Sequence, residues 1–386
     1  MRVGIFSESY EPLLNGVAVS VGTLTKELRR LGHGVHIFAT TCKGEYDANR
    51  DVTRLPAVFT RFEPDYPVPI PFVPGLTRRV RREKLDLIHT QTPWILGWLG
   101  FAMGRRLRIP VVSTNHTQYA DYAHYFPLAP RSFVRSFIAW TMRAYYNRCA
   151  SVIVPSNPTA VLLREYGVRT PIYTIPTGNS LDTSRDPEAR ARIRTELGIS
   201  PDEVVLTYVG RLAKEKNLEL LLHSFENLCK RHDDITLLVV GGGPFDDECR
   251  RKASALSCSS KVKFAGFMPR EKVAKYYSAG DLFTFPSTTE TQGLVLGEAL
   301  QAGLPCVAVN AGGSPEMLKD GDDSLLTENS VDDFSAKIDI LLSDRNLMAR
   351  FSEQAVVNAA RFSPRGMAAS MLEVYEKVLQ SSRDAQ

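Results

Sequence analysis

Short, unbroken apolar runs recur along this chain, each followed by a stretch with helical spacing, and the series occurs twice. Val3–Phe6, Val35–Ala39, Leu85–His89, Val111–Thr114 and Val152–Pro155 form the first set. Val204–Val209, Thr236–Val240, Val262–Phe264, Leu282–Phe285 and Pro305–Val309 form the second. Runs without polar alternation suit strands buried on both faces, and intervening helices provide right-handed crossovers, so the pattern specifies βαβ units and parallel sheets. Helices are expected over about Val19–Leu31, with Gly32 and Gly34 at its end, over the amphipathic Phe133–Cys149, and over Glu219–Arg231. The polar stretch Asp182–Pro201 reads as a connection between the two series, with the boundary near Ile175. The fold class is therefore α/β, with two Rossmann-like, doubly wound parallel-sheet domains. The first spans 1–175 and the second 176–363, with a helical tail after Pro364. Ligands of such sheets bind at the carboxyl ends of the strands.

A chain of 386 residues with 44% hydrophobic and 23% charged residues has the composition of a soluble globular protein. No apolar run reaches the ~18–20 residues of a membrane span, and Arg2–Phe6 enters a strand directly, so a cytoplasmic setting is expected. Cys42, Cys149, Cys229, Cys249, Cys258 and Cys306 show neither a Cys-x-x-Cys pair nor zinc-like spacing and read as reduced thiols. Charge is uneven. Residues 1–175 carry 22 Lys and Arg against 12 Asp and Glu and the remainder 25 against 31, so that +10 and −6 make up the net +4. A basic first half suits an anionic partner.

The chemistry-bearing residues follow strands. Glu290 and Glu298, with seven residues between them after Leu282–Phe285, bracket Gly293, which can open a helix at Leu294. One carboxylate would then face a sugar and the other a ribose diol, each accepting two strong hydrogen bonds. The N–H groups of Gly293, Leu294 and Val295 would point at a phosphate, aided by the helix dipole. After Val204–Val209 come Gly210 and Arg211, with Lys216 five residues on. These two cations can neutralise a diphosphate as charge develops on a leaving nucleotide. Leu14-Asn15-Gly16-Val17 offers backbone at the end of the first strand, although it matches neither a dinucleotide fingerprint nor a Walker loop. His116 ends Val111–Thr114; a lone histidine there is ordinarily structural. Gly241-Gly242-Gly243-Pro244 is a turn near a nucleotide or a plain structural one, and the backbone at Phe267 and Met268 can read a uracil edge. No Asp-x-Asp metal motif occurs, and Asp246-Asp247 reads as a solvated loop.

As a set, these residues resemble the retaining glycosyltransferases of the GT-B fold, family 4 type. The resemblance runs from Gly4-Ile5-Phe6-Ser7-Glu8 and Asn15-Gly16-Val17, through Gly210-Arg211 and Lys216-Asn217, to Glu290, Glu298 and Gly312-Gly313. It implies two domains facing across a cleft, with the C-terminal helix 364–386 crossing back to the first. It further implies Glu290 on the donor sugar, Glu298 on the ribose, Arg211 and Lys216 on the diphosphate, Gly16 near the phosphate and His116 near the reacting carbon. The nucleotide sugar is the substrate, and no separate cofactor or metal is expected.

Within the family, His116-Thr117-Gln118-Tyr119-Ala120-Asp121-Tyr122 and Phe6-Ser7-Glu8-Ser9-Tyr10-Glu11-Pro12 resemble diacylglycerol glucosyltransferases and phosphatidylinositol mannosyltransferases. The resemblance implies a UDP-sugar donor with glucose as the hexose, a lipid acceptor and work at the inner membrane face. Arg78, Arg79, Arg81, Arg82 and Lys84 behind the apolar Val68–Pro74 fit an anionic membrane surface, as does Phe133-Val134-Arg135 with Arg143. Other readings stay open: a soluble or phosphorylated acceptor, phosphatidylinositol with a UDP- or GDP-sugar, a phosphorylase or epimerase on the same fold, or a non-catalytic nucleotide or nucleic-acid binder. No nucleic-acid module is recognisable, so no nucleic-acid partner is expected.

Overall fold

The computed structural model describes residues 1–13, 15–42, 50–59, 67–119 and 130–384. The chain divides into two compact units: Met1–Ser180 with the C-terminal segment from Ser363, and Leu181–Phe362.

The first unit is built on β1 (Arg2–Ser7), β2 (Gly34–Thr40), β3 (Val52–Leu55), a two-stranded antiparallel ribbon β4 (Ala57–Val58) and β5 (Val68–Pro69), then β6 (Leu87–Thr90), β7 (Val111–Thr114), β8 (Ser151–Val154) and β9 (Ile172–Thr174). All but the ribbon form one parallel sheet in the order β3-β2-β1-β6-β7-β8-β9. Its helices are α1 (Gly16–Arg30), α2 (Leu76–Arg82), α3 (Ile95–Leu107), α4 (Arg131–Tyr146) and α5 (Asn157–Glu165). Phe6 pairs with Phe38 and Thr90 across the sheet, and the Phe6 and Phe38 rings stack at 4.4 Å. This register puts the residues after β1, β6 and β7 on one edge.

The second unit carries a six-stranded parallel sheet, β12-β11-β10-β13-β14-β15. Its strands are β10 (Val204–Val209), β11 (Ile235–Val240), β12 (Val262–Gly266), β13 (Leu282–Phe285), β14 (Cys306–Val309) and β15 (Ser324–Thr327). Every residue of β10 and β11 is buried, as strands covered on both faces require. The helices are α6 (Pro187–Leu197), α7 (Leu218–Cys229), α8 (Asp246–Ser254), α9 (Arg270–Ala279), α10 (Leu294–Gln301), α11 (Ser314–Met317), α12 (Val331–Ser343) and α13 (Arg345–Ala359).

Two expectations are corrected. The stretch Asp182–Pro201 is not a plain connection: it contains α6, N-capped by Asp186, whose side chain accepts from Ala189 N, with Pro187 at the first turn. Few aliphatic residues mark its buried face. Ala189 and Ile193 are joined there by Arg194, whose guanidinium pairs with Asp281 at 2.6 Å and donates to several carbonyls. Asp246 and Asp247 lie in the first turn of α8 rather than on a loop, and Asp246 pairs with Arg250 one turn on. All six cysteines are free thiols.

The chain ends in α14 (Pro364–Asp384), which belongs to the first unit. Proline at its first position costs no hydrogen bond there. Met367, Met371, Val374, Tyr375 and Val378 recur on one face and enter a core with Val3, Val21, Leu24 and Leu28. Tyr375 Oη lies 2.7 Å from His89 Nδ1, and His89 Nε2 lies 2.7 Å from Thr114 Oγ1. Burial pushes the His89 imidazole from its ordinary 6.5 down to about 3, with the neighbouring His116 adding to the effect. The folded protein therefore holds His89 neutral. The stability this gives is complete above pH 6.5 and falls as pH drops towards 3, because the unfolded chain takes up a proton the folded one refuses. The loss is up to about 1.4 kcal/mol per pH unit in that window. Thermal unfolding followed from neutral pH to pH 3 should show this decline, and His89→Gln should flatten it.

Candidate functional site

Five neighbouring strands of the second unit deliver their carboxyl-end loops to one edge. After β10 come Gly210 and Arg211; after β11, Gly241–Gly243; after β12, Phe267 and Met268. Glu290 follows β13, and Gly312 and Gly313 follow β14. Backbone bonds stitch these loops together: Gly210 N donates to Val240 O, Leu212 N to Gly242 O and Gly241 N to Gly266 O. Tyr208, buried in β10 and stacked on Phe285, donates its hydroxyl to Arg211 O and so fixes that loop from below. The Arg211 side chain is exposed and has no carboxylate partner among the described residues. Lys216 sits in a short 3-10 turn, Lys214–Lys216, ahead of α7. Its Nζ meets Glu290 Oε1 at 2.5 Å, both groups largely shielded from water.

Glu290 is held by its backbone. Gly313 N donates to Glu290 O at 2.7 Å, and a Cβ on Gly312 would come within 2.4 Å of that same carbonyl oxygen. Gly312 also has φ +57, where other residues are strained. Gly293 caps α10 with φ +85, so that Leu294 and Val295 head the helix with their N–H groups outside its internal bonding. One turn in, Glu298 is buried. Its Oε1 accepts from Arg270 Nη2 at 2.8 Å and its Oε2 from Tyr277 Oη at 2.8 Å. Burial, with Glu298 second, raises the Tyr277 hydroxyl well above its usual range, so it remains a donor. Arg270 and Tyr277 were absent from the sequence reading. The available signal was position: Arg270 opens α9 directly after Phe267-Met268-Pro269. Phe267 is 73% exposed, while Met268 packs on the core.

In the first unit, Gly16 begins α1, where Asn15 Oδ1 accepts from Ala18 N and Asn15 Nδ2 donates to Ser9 Oγ. Gly16 is exposed, and Val17 leans on the core. His116 Nε2 lies 2.8 Å from Gln91 Oε1, and burial brings its imidazole down to about 4, so it is a neutral hydrogen-bonding group at physiological pH. A second carboxylate on this edge is Glu8, whose oxygens accept from Leu96 N and Thr92 Oγ1, each at 3.0 Å. Leu14, Ala120, Asp121 and Tyr122 lie outside the described residues. Among the described residues, no three His, Cys, Asp or Glu side chains gather as metal ligands do.

Two parallel-sheet units, one gathering cations, glutamates and a helix start at its strand ends, define the class of GT-B glycosyltransferases. Residues 189–356 match the family model for glycosyl transferases group 1, and residues 14–183 that for glycosyltransferase family 4. An alpha-monoglucosyldiacylglycerol synthase of Streptococcus pneumoniae is 37% identical over 318 residues, covering 80% of this chain and 71% of its own. That of Acholeplasma laidlawii is 33% identical, covering 80% of each. The solved sucrose-phosphate synthase of Thermosynechococcus elongatus superposes with a TM-score of 0.79 at 21% identity, covering 98% and 99%. Anabaena HepE in complex with UDP does so at 0.78 and 20%, covering 98% and 100%. The chain belongs to the GT-B glycosyltransferases of family 4 type.

Gly312→Ala should cost roughly 2 kcal/mol, through strained backbone and the push on the Glu290 carbonyl. Thermal unfolding should then fall by about 4–8 °C.

Proposed function

We propose that the protein is a retaining hexosyltransferase that moves glucose from UDP-glucose to a membrane lipid such as diacylglycerol, as a peripheral enzyme of the inner membrane face. The 37% identity to a protein named for alpha-monoglucosyldiacylglycerol synthesis carries this reading. Supporting it are the exposed guanidiniums of Arg78, Arg79, Arg81 and Arg82 on α2, with Phe72 just before them 76% exposed. No described helix is long and apolar enough to cross a membrane.

In this reading the second unit holds the donor. Arg211 and Lys216 meet the diphosphate, joined by the N–H groups of Leu294 and Val295, so that no metal is needed. Glu290, fixed by Gly312 and Gly313, orients the sugar, with Lys216 shared between carboxylate and phosphate. Glu298, already gripped by Arg270 and Tyr277, has lone pairs left for the ribose diol. Phe267, Met268 and Gly210 border the base and phosphate. The first unit contributes Gly16 and Val17 at a helix start and a neutral His116 for a sugar hydroxyl. The bond from the anomeric carbon to the diphosphate oxygen breaks, the acceptor oxygen bonds the same face of that carbon, and its proton passes to the departing phosphate oxygen. Arg211 stabilises charge that grows as this bond breaks, so it acts more on turnover than on binding.

Calorimetry with UDP- and GDP-sugars, followed by acceptor assays with detergent-dispersed diacylglycerol and soluble sugars, tests the whole reading; transfer only to soluble acceptors rejects the lipid. Arg211→Ala should lower kcat by roughly 100-fold, and a raised KM at unchanged kcat would remove it from the transition state. Glu298→Ala should weaken donor binding at least about tenfold. Activity should persist in EDTA. Vesicle binding should rise with anionic lipid and fall with salt.

A further inference from the structure

A hollow of about 340 Å³ opens on the first unit, lined by Pro71, Trp94, Ile95, Trp98 and Leu99, none of which is assigned to the donor. Ile95, Trp98 and Leu99 fall on one face of the first turns of α3, and Trp94 precedes them. Pro71 also lines the hollow. The walls are fixed. The Trp94 ring meets Tyr119 edge-on at 5.2 Å, and Trp98 meets Tyr145 at 5.2 Å. The start of α3 is tied down by the Glu8 carboxylate at Leu96 N. Gly97 lies so close to Thr92 that a Cβ would come within 1.9 Å of its carbonyl oxygen.

Among the described residues, the lining supplies no charged, amide or hydroxyl side chain. A peptide segment entering would find only the two indole N–H groups as polar side-chain partners among these residues and would leave most of its own N–H and C=O groups unpaired. An alkyl chain needs no such partners. The space is large enough to take part of such a chain. Charge complementarity points the same way. Five residues beyond Pro71 begins α2, whose Arg78, Arg79, Arg81 and Arg82 are exposed and have no carboxylate partner among the described residues. Phe72, between hollow and helix, projects into solvent. Cations at the head-group plane beside an apolar slot match a lipid that enters tail first.

We propose that this hollow binds one acyl chain of the lipid acceptor, holding the molecule by its tail while the hydroxyl stays outside. The inference rests on the lipid-acceptor reading above and adds a site to it.

The chain has three tryptophans, and two of them line the hollow. In a Trp140→Phe background, emission therefore reports Trp94 and Trp98. Titration with a monoacylglycerol bearing a terminal bromine, kept below its micellar concentration, should quench that emission saturably. Affinity should fall about fourfold for each methylene removed. Ile95→Phe with Leu99→Phe, which fills the slot, should weaken quenching at least about tenfold and raise KM for long-chain diacylglycerol similarly, with kcat and donor KM unchanged. If that pair lowers thermal stability too far, Trp98→Ala at a partly exposed position, leaving Trp94 as reporter, should weaken the same binding. Quenching independent of chain length, or equal in the filled variant, overturns the proposal. Quenching without transfer to diacylglycerol in the parent protein leaves the slot standing and removes the acceptor reading; transfer without quenching does the reverse.

Discussion

Parallel pairing throughout both large sheets governs everything else in this molecule. A parallel strand cannot turn back on its neighbour, so each must be followed by a crossover, here mostly helical, and every strand then ends on the same edge. In the second unit that edge receives Gly210, Gly241, Phe267, Glu290 and Gly312 from separate stretches of chain. Nothing else in the sequence brings these residues near one another.

On that edge, charge is organised in two tiers. Lys216 and Glu290 face each other at 2.5 Å with little water between them. A pair of this kind gains Coulomb energy but sacrifices solvation, so it is poor stabilisation and good preparation for an anion that can share the cation. Glu298 lies deeper and is satisfied on both oxygens by Arg270 and Tyr277. Such a network holds the carboxylate in one rotamer. Arg211 has no such tether: Tyr208 anchors its backbone while the guanidinium stays in solvent.

Much of this was legible in the sequence, for physical reasons that vary by element. Strands such as Val204–Val209 are central and apolar on both faces, so composition alone marks them. Val52–Leu55 and Ile172–Thr174 are the edges of the first sheet and Ser324–Thr327 of the second; all three are short and partly exposed, and their mixed polarity hid them. Helix α6 was missed because a buried arginine takes the place an aliphatic residue would occupy. Glu290 and Glu298 were visible through spacing after a strand. Arg270 and Tyr277 were not, because their roles arise from contacts across 28 and 21 residues that no local pattern encodes. The apolar hollow joins Pro71 to the α3 turn in the same non-local way.

The first unit is discontinuous: its helix α14 lies in the chain after the whole of the second unit. Until Met367, Met371 and Tyr375 arrive, Val3, Val21 and Leu24 lack part of their cover and His89 lacks its tyrosine partner. The second unit is continuous and can condense during synthesis. A nascent chain therefore carries an incompletely covered first unit until residues 364–378 have been made. The unit that begins first in the chain is thus the one whose residues are completed second.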